Sequence, residues 1–184
     1  SAYKTVQAIE QNKKYAEYQS DCEEYRKKIG DELAANCEKV INIVKEQALP
    51  KAEDDEAKVF YLKMIGDYYR YNAEAASGDQ LSAVTENALK YYDEATEAAK
   101  QLKPYNSTKL GLALNFSVFY YELKNDSSKA CTIAEEALEG AKSEIDNMDN
   151  DEARDALSII ELLKENLDLW KEEEGADDNA VEDL

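Results

Sequence analysis

The sequence predicts an all-α protein built as an antiparallel array of about seven helices. Three observations lead there. Every segment with a periodic apolar pattern shows the helical period rather than strand alternation. Helix breakers are scarce, with two prolines and six glycines in 184 residues, while Ala, Glu, Lys and Leu abound. The connections between periodic segments are short, which makes consecutive helices antiparallel neighbours.

Taken in order, residues 2–12 carry Val6 and Ile9 on one side of a short first helix. A long second helix covers about 15–49, with Tyr18, Cys22, Tyr25, Ile29, Leu33, Cys37, Val40, Ile41 and Val44 mostly at steps of three and four. Pro50 ends it and pushes Leu49 out of the helical region. The third helix covers about 54–76 and stops at Ser77-Gly78, a C-terminal glycine signal. The fourth, from 79 to about 102, is stopped by Pro104. The fifth runs from about 107 to 123 and breaks at Lys124-Asn125-Asp126. The sixth, 127–145, opens with Ser127 in capping position. The seventh runs from about 151 to 170. A helical repeat of the tetratricopeptide type would look similar at this level, but no fixed 34-residue self-similarity is present. One domain over 1–171, followed by an acidic disordered tail over 172–184, is the expected organisation.

Charge and composition exclude several functions. The formal charge is −19; the segment from Lys171 to Leu184 supplies −6 of it, leaving −13 on the body. Such a surface repels nucleic acid and anionic membrane, so neither is expected as a partner, and a cationic site inside it is a local exception. The chain has no histidine. That removes Ser-His-Asp and Cys-His catalysis, histidine general bases and nearly every common zinc site. Carboxylates are plentiful, but no spacing singles out a pair for hydrolysis; no enzyme activity, metal or cofactor is expected. Cys22, Cys37 and Cys131 form no CxxC pair and read as reduced thiols of a cytoplasmic protein. No signal peptide and no apolar run of membrane-spanning length is present.

Three segments carry more than a core pattern. In Lys63 to Tyr71, Lys63 and Arg70 lie seven apart, on one helix face, with Tyr71 adjacent. A guanidinium fork, an ammonium and a phenol together suit a phosphate dianion. The same spacing also fits Lys63 and Arg70 each pairing with Asp67 on a wet face. In Leu110 to Glu122, a helix apolar nearly all round, Asn115, Val118 and Glu122 share one face. An amide there can clamp an extended peptide backbone or be satisfied within a core. In Ile159 to Trp170, Ile160, Leu163, Leu167 and Trp170 form one apolar stripe that reads as core. Leu162, Asn166 and Leu169 form a second stripe, which fits an exposed groove wall.

Together these segments resemble the 14-3-3 family. Val59-Phe60-Tyr61-Leu62-Lys63-Met64 and Gly66-Asp67-Tyr68-Tyr69-Arg70-Tyr71 are similar to one family signature, with Ile65 where lysine is usual. Lys109 to Leu123 resembles a second, long signature. Leu162-Leu163, Asn166-Leu167 and Leu169-Trp170 resemble the family's last helix, and Glu24-Tyr25-Arg26 within 22–33 resembles its fourth. The resemblance implies a concave amphipathic groove that binds extended phosphoserine or phosphothreonine peptides. It further implies that Lys63, Arg70, Tyr71 and Lys4 bind phosphate and that Asn115 and Asn166 hold the peptide backbone. Leu114, Val118, Ile159, Leu162 and Leu169 would form the apolar wall, with Glu122 and Trp170 nearby.

Two departures bear on that expectation. Ser158 stands where the family usually has leucine, which makes the wall less apolar. The family also has two earlier helices that build its dimer interface, and more residues between Ala2-Tyr3-Lys4 and Ile9-Glu10-Gln11, including a second phosphate-binding arginine. No equivalent is present here. The expected function is therefore a phosphoserine/phosphothreonine-dependent adaptor, with phosphorylated proteins as partners and a homodimer where those helices exist. The alternative is a phosphate-independent helical scaffold or chaperone-like module with a degenerate pocket.

Overall fold

A computed structural model describes the backbone of residues 2–142 and 150–182, and the side chains of 2–142 and 154–173. Seven α-helices occur among the described residues, and no strand. They are α1 (Ala2–Glu10), α2 (Gln19–Ile43), α3 (Asp55–Ala73), α4 (Gly78–Ala98), α5 (Ser107–Lys124), α6 (Ser127–Lys142) and α7 (Asn150–Glu182). The chain divides into two compact units: residues 1–51 with 64–91, and residues 52–63 with 92–184.

In the first unit, α1 packs along α2. Tyr3 is buried at the contact. The close approach depends on Gly30 in the middle of α2, where an added Cβ would lie 3.3 Å from both the Tyr3 ring and Ala75 Cβ. A helix-interior glycine costs about 0.5–1 kcal/mol relative to alanine, and the seat for Tyr3 is what it makes possible. Arg26 fastens the same contact. Its guanidinium grips the Glu10 carboxylate through Nε at 2.5 Å and Nη2 at 3.3 Å, and donates to the Tyr3 hydroxyl at 3.0 Å. Those bonds hold the Arg26 pKa well above its ordinary value.

The second unit is organised by α5. Its sequence is apolar nearly all round, and Leu110, Leu112, Phe116 and Phe119 are all buried. Helices α6 and α7 pack against it. They approach through small residues, with Ala130, Ala134, Ala141 and Ala156 wholly buried. Tyr92 of α4 stacks on Phe116 with ring centroids 5.1 Å apart, and Tyr121 stacks on Trp170 at 5.0 Å. Each such side chain removed from water contributes about 1.5–3 kcal/mol. Ser117, fully buried inside this helix, returns its hydroxyl hydrogen to the Leu114 carbonyl at 2.8 Å.

The helix ends correct the sequence reading in four places. The second predicted helix is not continuous. A 3-10 turn at Lys13–Tyr18 precedes α2, and a π segment (Val44–Ala48) and a 3-10 turn (Leu49–Lys51) follow it. Leu49 keeps right-handed helical angles, φ −56° and ψ −41°, despite Pro50. The residue before proline is disfavoured there but not barred, and the change of helical pitch absorbs the crowding. Helix α3 ends at Ala73, and Gly78, at φ +55°, opens α4 instead of closing α3. The cap of α6 is Asp126, whose carboxylate accepts the Lys129 N–H at 2.9 Å, rather than Ser127. Its predicted end at residue 145 lies outside the described residues. Finally, α7 continues past Trp170 to Glu182. Glu172, Glu173 and Glu174 are good helix formers that carry an established helix onward, into a stretch expected to be an unstructured strip.

Two substitutions test these assignments. Asn72 is buried, and its Oδ1 has no hydrogen-bond partner among the described residues. Asn72→Leu removes that orphaned acceptor and is expected to stabilise the protein by about 1–3 kcal/mol, read as a Tm several degrees higher. Asn125 ends α5 in the left-handed region, at φ 50°. Asn125→Ala is expected to cost about 1 kcal/mol there, and a melt unchanged from the parent would contradict the left-handed cap.

Candidate functional site

The side chains expected to form the site fall into two groups, one in each unit. In the first unit, Arg70 and Tyr71 occupy the last turns of α3. The Arg70 guanidinium lies over the Tyr71 ring, 4.8 Å from its centroid, a geometry in which the flat cation is held by the ring face. Beneath them Asp67 is buried. Burial first, and the Asp67 charge second, push the Tyr71 phenol above its ordinary pKa, while Arg70 pulls it down. The phenol therefore stays protonated and able to donate a hydrogen bond over a wide pH range. Tyr71 also edges onto Tyr68, with ring centroids 5.6 Å apart. Both line a recess of about 610 Å³ floored by Leu33, Cys37, Val40 and Ile43 of α2. That recess was not legible in the sequence, because it depends on which face of α2 meets α3. Lys4 projects from α1 as an exposed side chain, on the helix that Arg26 and Glu10 clamp.

In the second unit, Lys63 is half-buried against α5, with its Cε 3.8 Å from where a Gly111 Cβ would stand. A Cβ there would make an ordinary van der Waals contact with the lysine stem, so Gly111 is a neighbour of Lys63 that the sequence reading did not single out. Asn115, half-buried, sits four residues on from Gly111 along α5. Leu114 and Val118 are partly buried and pack on the core, while Glu122, one turn further along α5, is exposed.

Helix α7 divides into the two stripes expected of it. Ile160, Leu163, Leu167 and Trp170 are buried, whereas Leu162 and Leu169 remain about half exposed, at 48% and 51%. Asn166 lies between these last two and is half-buried; Ile159 is partly buried against the core. Ser158 is exposed and turns its hydroxyl back to the Arg154 carbonyl at 3.2 Å. Leu157, 49% exposed, adds a further apolar side chain to the outside of α7.

The chemistry these residues offer is recognition. A guanidinium, a phenol and two lysines supply charge-assisted donors, the amides of Asn115 and Asn166 each offer a donor and an acceptor, and exposed leucines supply apolar contact. Among the described residues, no helix is long and apolar enough to cross a membrane.

Comparison with known proteins agrees with this architecture. The family profile described as 14-3-3 protein matches residues 1–171. The chain is similar to 14-3-3 protein homolog 2 of Schistosoma mansoni, with 43% identity over 182 residues, 98% of this chain and 85% of that protein. It is similar to 14-3-3-like protein 2 of Caenorhabditis elegans, with 43% identity over 180 residues, 97% of this chain and 73% of the relative. Similarity to 14-3-3 protein zeta of Bombyx mori is also 43%, over 172 residues, 92% of this chain and 70% of the relative. With a family profile spanning nearly the whole chain and relatives at this identity, the chain belongs to the 14-3-3 family.

Proposed function

We propose that this protein is an adaptor that captures other proteins through a phosphorylated serine or threonine in an extended segment. The observation that carries the reading is the Arg70–Tyr71 pair: a guanidinium stacked on a protonated phenol, on the surface of a strongly acidic chain. Family membership supports it. In this reading Arg70 and Tyr71 hold the phosphate, with Lys63 and Lys4 adding positive charge. Asn115 and Asn166 bond the peptide backbone. Leu114, Val118, Ile159, Leu162 and Leu169 receive the apolar side chains of the segment, with Glu122 and Trp170 at the margin. Phosphorylation brings about −1.5 to −2 charge to the partner, which strengthens its attraction to these cations against the repulsion of the acidic surface.

The protein works by occupancy and carries out no reaction. We place it in the cytoplasm, as a homodimer where the family's first helices accompany it; a dimer engages two phosphosites and gains from effective concentration. The half-exposed Leu157, Leu162 and Leu169 on α7 favour one other reading, a scaffold that binds apolar segments without phosphate.

Fluorescence anisotropy with a labelled phosphoserine peptide and its unphosphorylated twin separates the two. The phosphopeptide is expected to bind at least roughly tenfold more tightly, with affinity falling as salt rises. Arg70→Ala is expected to weaken it by about ten- to a hundredfold, the weight of one or more charge-assisted hydrogen bonds, and Lys63→Glu by at least as much. Equal binding of the two peptides, insensitive to salt, would sink the adaptor reading in favour of the apolar scaffold.

A further inference from the structure

A second recess lies wholly inside the second unit, walled by α4, α5 and α6. Its volume is about 520 Å³, within the roughly 300–1,000 Å³ range of small-molecule sites. None of the residues given a role in phosphopeptide capture lines it. The floor is apolar: Leu110 and Leu112 are buried, and Phe116 and Tyr120 form a tilted aromatic wall with centroids 5.0 Å apart. Ile133 and Ala137 of α6 close the opposite side.

The polar lining departs from the rest of the molecule. The chain carries 41 acidic and 22 basic residues, yet this recess is lined by Lys100, Lys109 and Lys129 against Asp93 and Glu136. Two of the lysines already have acids to attend to: Lys100 pairs with Glu97 at 2.6 Å, and Lys129 faces Asp93. Lys109 differs. It is half-buried and has no carboxylate within ion-pair distance among the described residues, and its ammonium donates to the Leu102 carbonyl at 3.2 Å. An ammonium has three N–H donors. Bound to one neutral carbonyl at the lip of an apolar cavity, it has unmet capacity for an anion.

We propose that this recess is a binding site for a small amphiphile, with an apolar body laid on Phe116 and Tyr120 and one anionic head on Lys109, Lys129 supporting it. A medium-chain carboxylate has that chemistry. A cationic amphiphile is the poorer match, because it would bring a further positive charge beside Lys100, Lys109 and Lys129, which outnumber Asp93 and Glu136 in the lining. The site is separate from phosphopeptide capture, so it stands or falls independently of the function proposed above.

The test uses the full chain, ¹⁵N-labelled, titrated with sodium decanoate, decanol and decyltrimethylammonium below their aggregation limits. Decanoate is expected to shift the amide resonances of Lys109, Phe116, Tyr120 and Ile133 saturably, and to bind at least roughly tenfold more tightly than either analogue. Replacing Lys109 and Lys129 together by methionine keeps the stems and removes the charge; decanoate affinity should fall to that of decanol. Ala113→Phe fills the recess and should abolish binding. If Ala113→Phe loses the native amide spectrum, the lysine pair and the unmodified ligand series decide. Indifference to head-group charge, or resonance shifts confined to other surfaces, would overturn the proposal.

Discussion

Nearly everything in the second unit depends on the burial of one helix that can face water only along a narrow strip. With Leu110, Leu112, Phe116 and Phe119 buried on more than one side, α5 leaves only the side of Asn115 and Glu122 partly open. It must therefore be covered on most sides. The small residues of α6 and α7 let them come close, the Tyr121–Trp170 stack fixes where α7 comes to rest, and the Tyr92–Phe116 stack does the same for the end of α4. The polar residues of α5 are then tolerated only at the seams. Ser117 satisfies itself on the preceding turn, whereas Asn115 sits half-buried at an edge, where a side-chain amide can still serve another molecule. Position of function follows from the packing constraint: a polar side chain on such a helix either turns inward on its own backbone or marks an opening.

The same constraint explains what could be read without coordinates. Helix existence was legible throughout, because period and composition agreed over long stretches. So was the division of α7 into a buried stripe and a half-exposed one, since Ile160, Leu163, Leu167 and Trp170 repeat at three and four residues while Leu162, Asn166 and Leu169 are offset from them. Ends were less legible, because they are decided by a few hydrogen bonds of similar strength. Asp126 and Ser127 are both good caps, and only the chain direction at Asn125, held left-handed, puts Asp126 in reach of the Lys129 N–H. Leu49 shows the same limit: the proline penalty is small enough for a local change of helix type to absorb.

Contacts between distant residues were the least legible. Gly30 and Gly111 look like ordinary helix glycines in sequence. One is a seat for Tyr3 and the other lies against the Lys63 stem. Arg26 enters the sequence reading only as part of Glu24-Tyr25-Arg26, yet it clamps Glu10 and Tyr3 and so anchors the helix that carries Lys4. Each role depends on a partner whose nearness is a tertiary fact, and no local propensity signals it.

An acidic protein that is to bind an anion must keep its cations from being neutralised at home. Surface ion pairs are weak, about 0–1 kcal/mol, but with acids outnumbering bases nearly two to one almost any exposed lysine finds a carboxylate, as Lys100 and Lys171 do. One device on this chain works against that. Lys109 donates to a backbone carbonyl, a neutral acceptor. There the cation is oriented by a group that leaves its charge uncompensated. A positive side chain held this way keeps its field, and the surrounding acidity then favours anions that bring enough charge and enough hydrogen-bond acceptors to repay the approach.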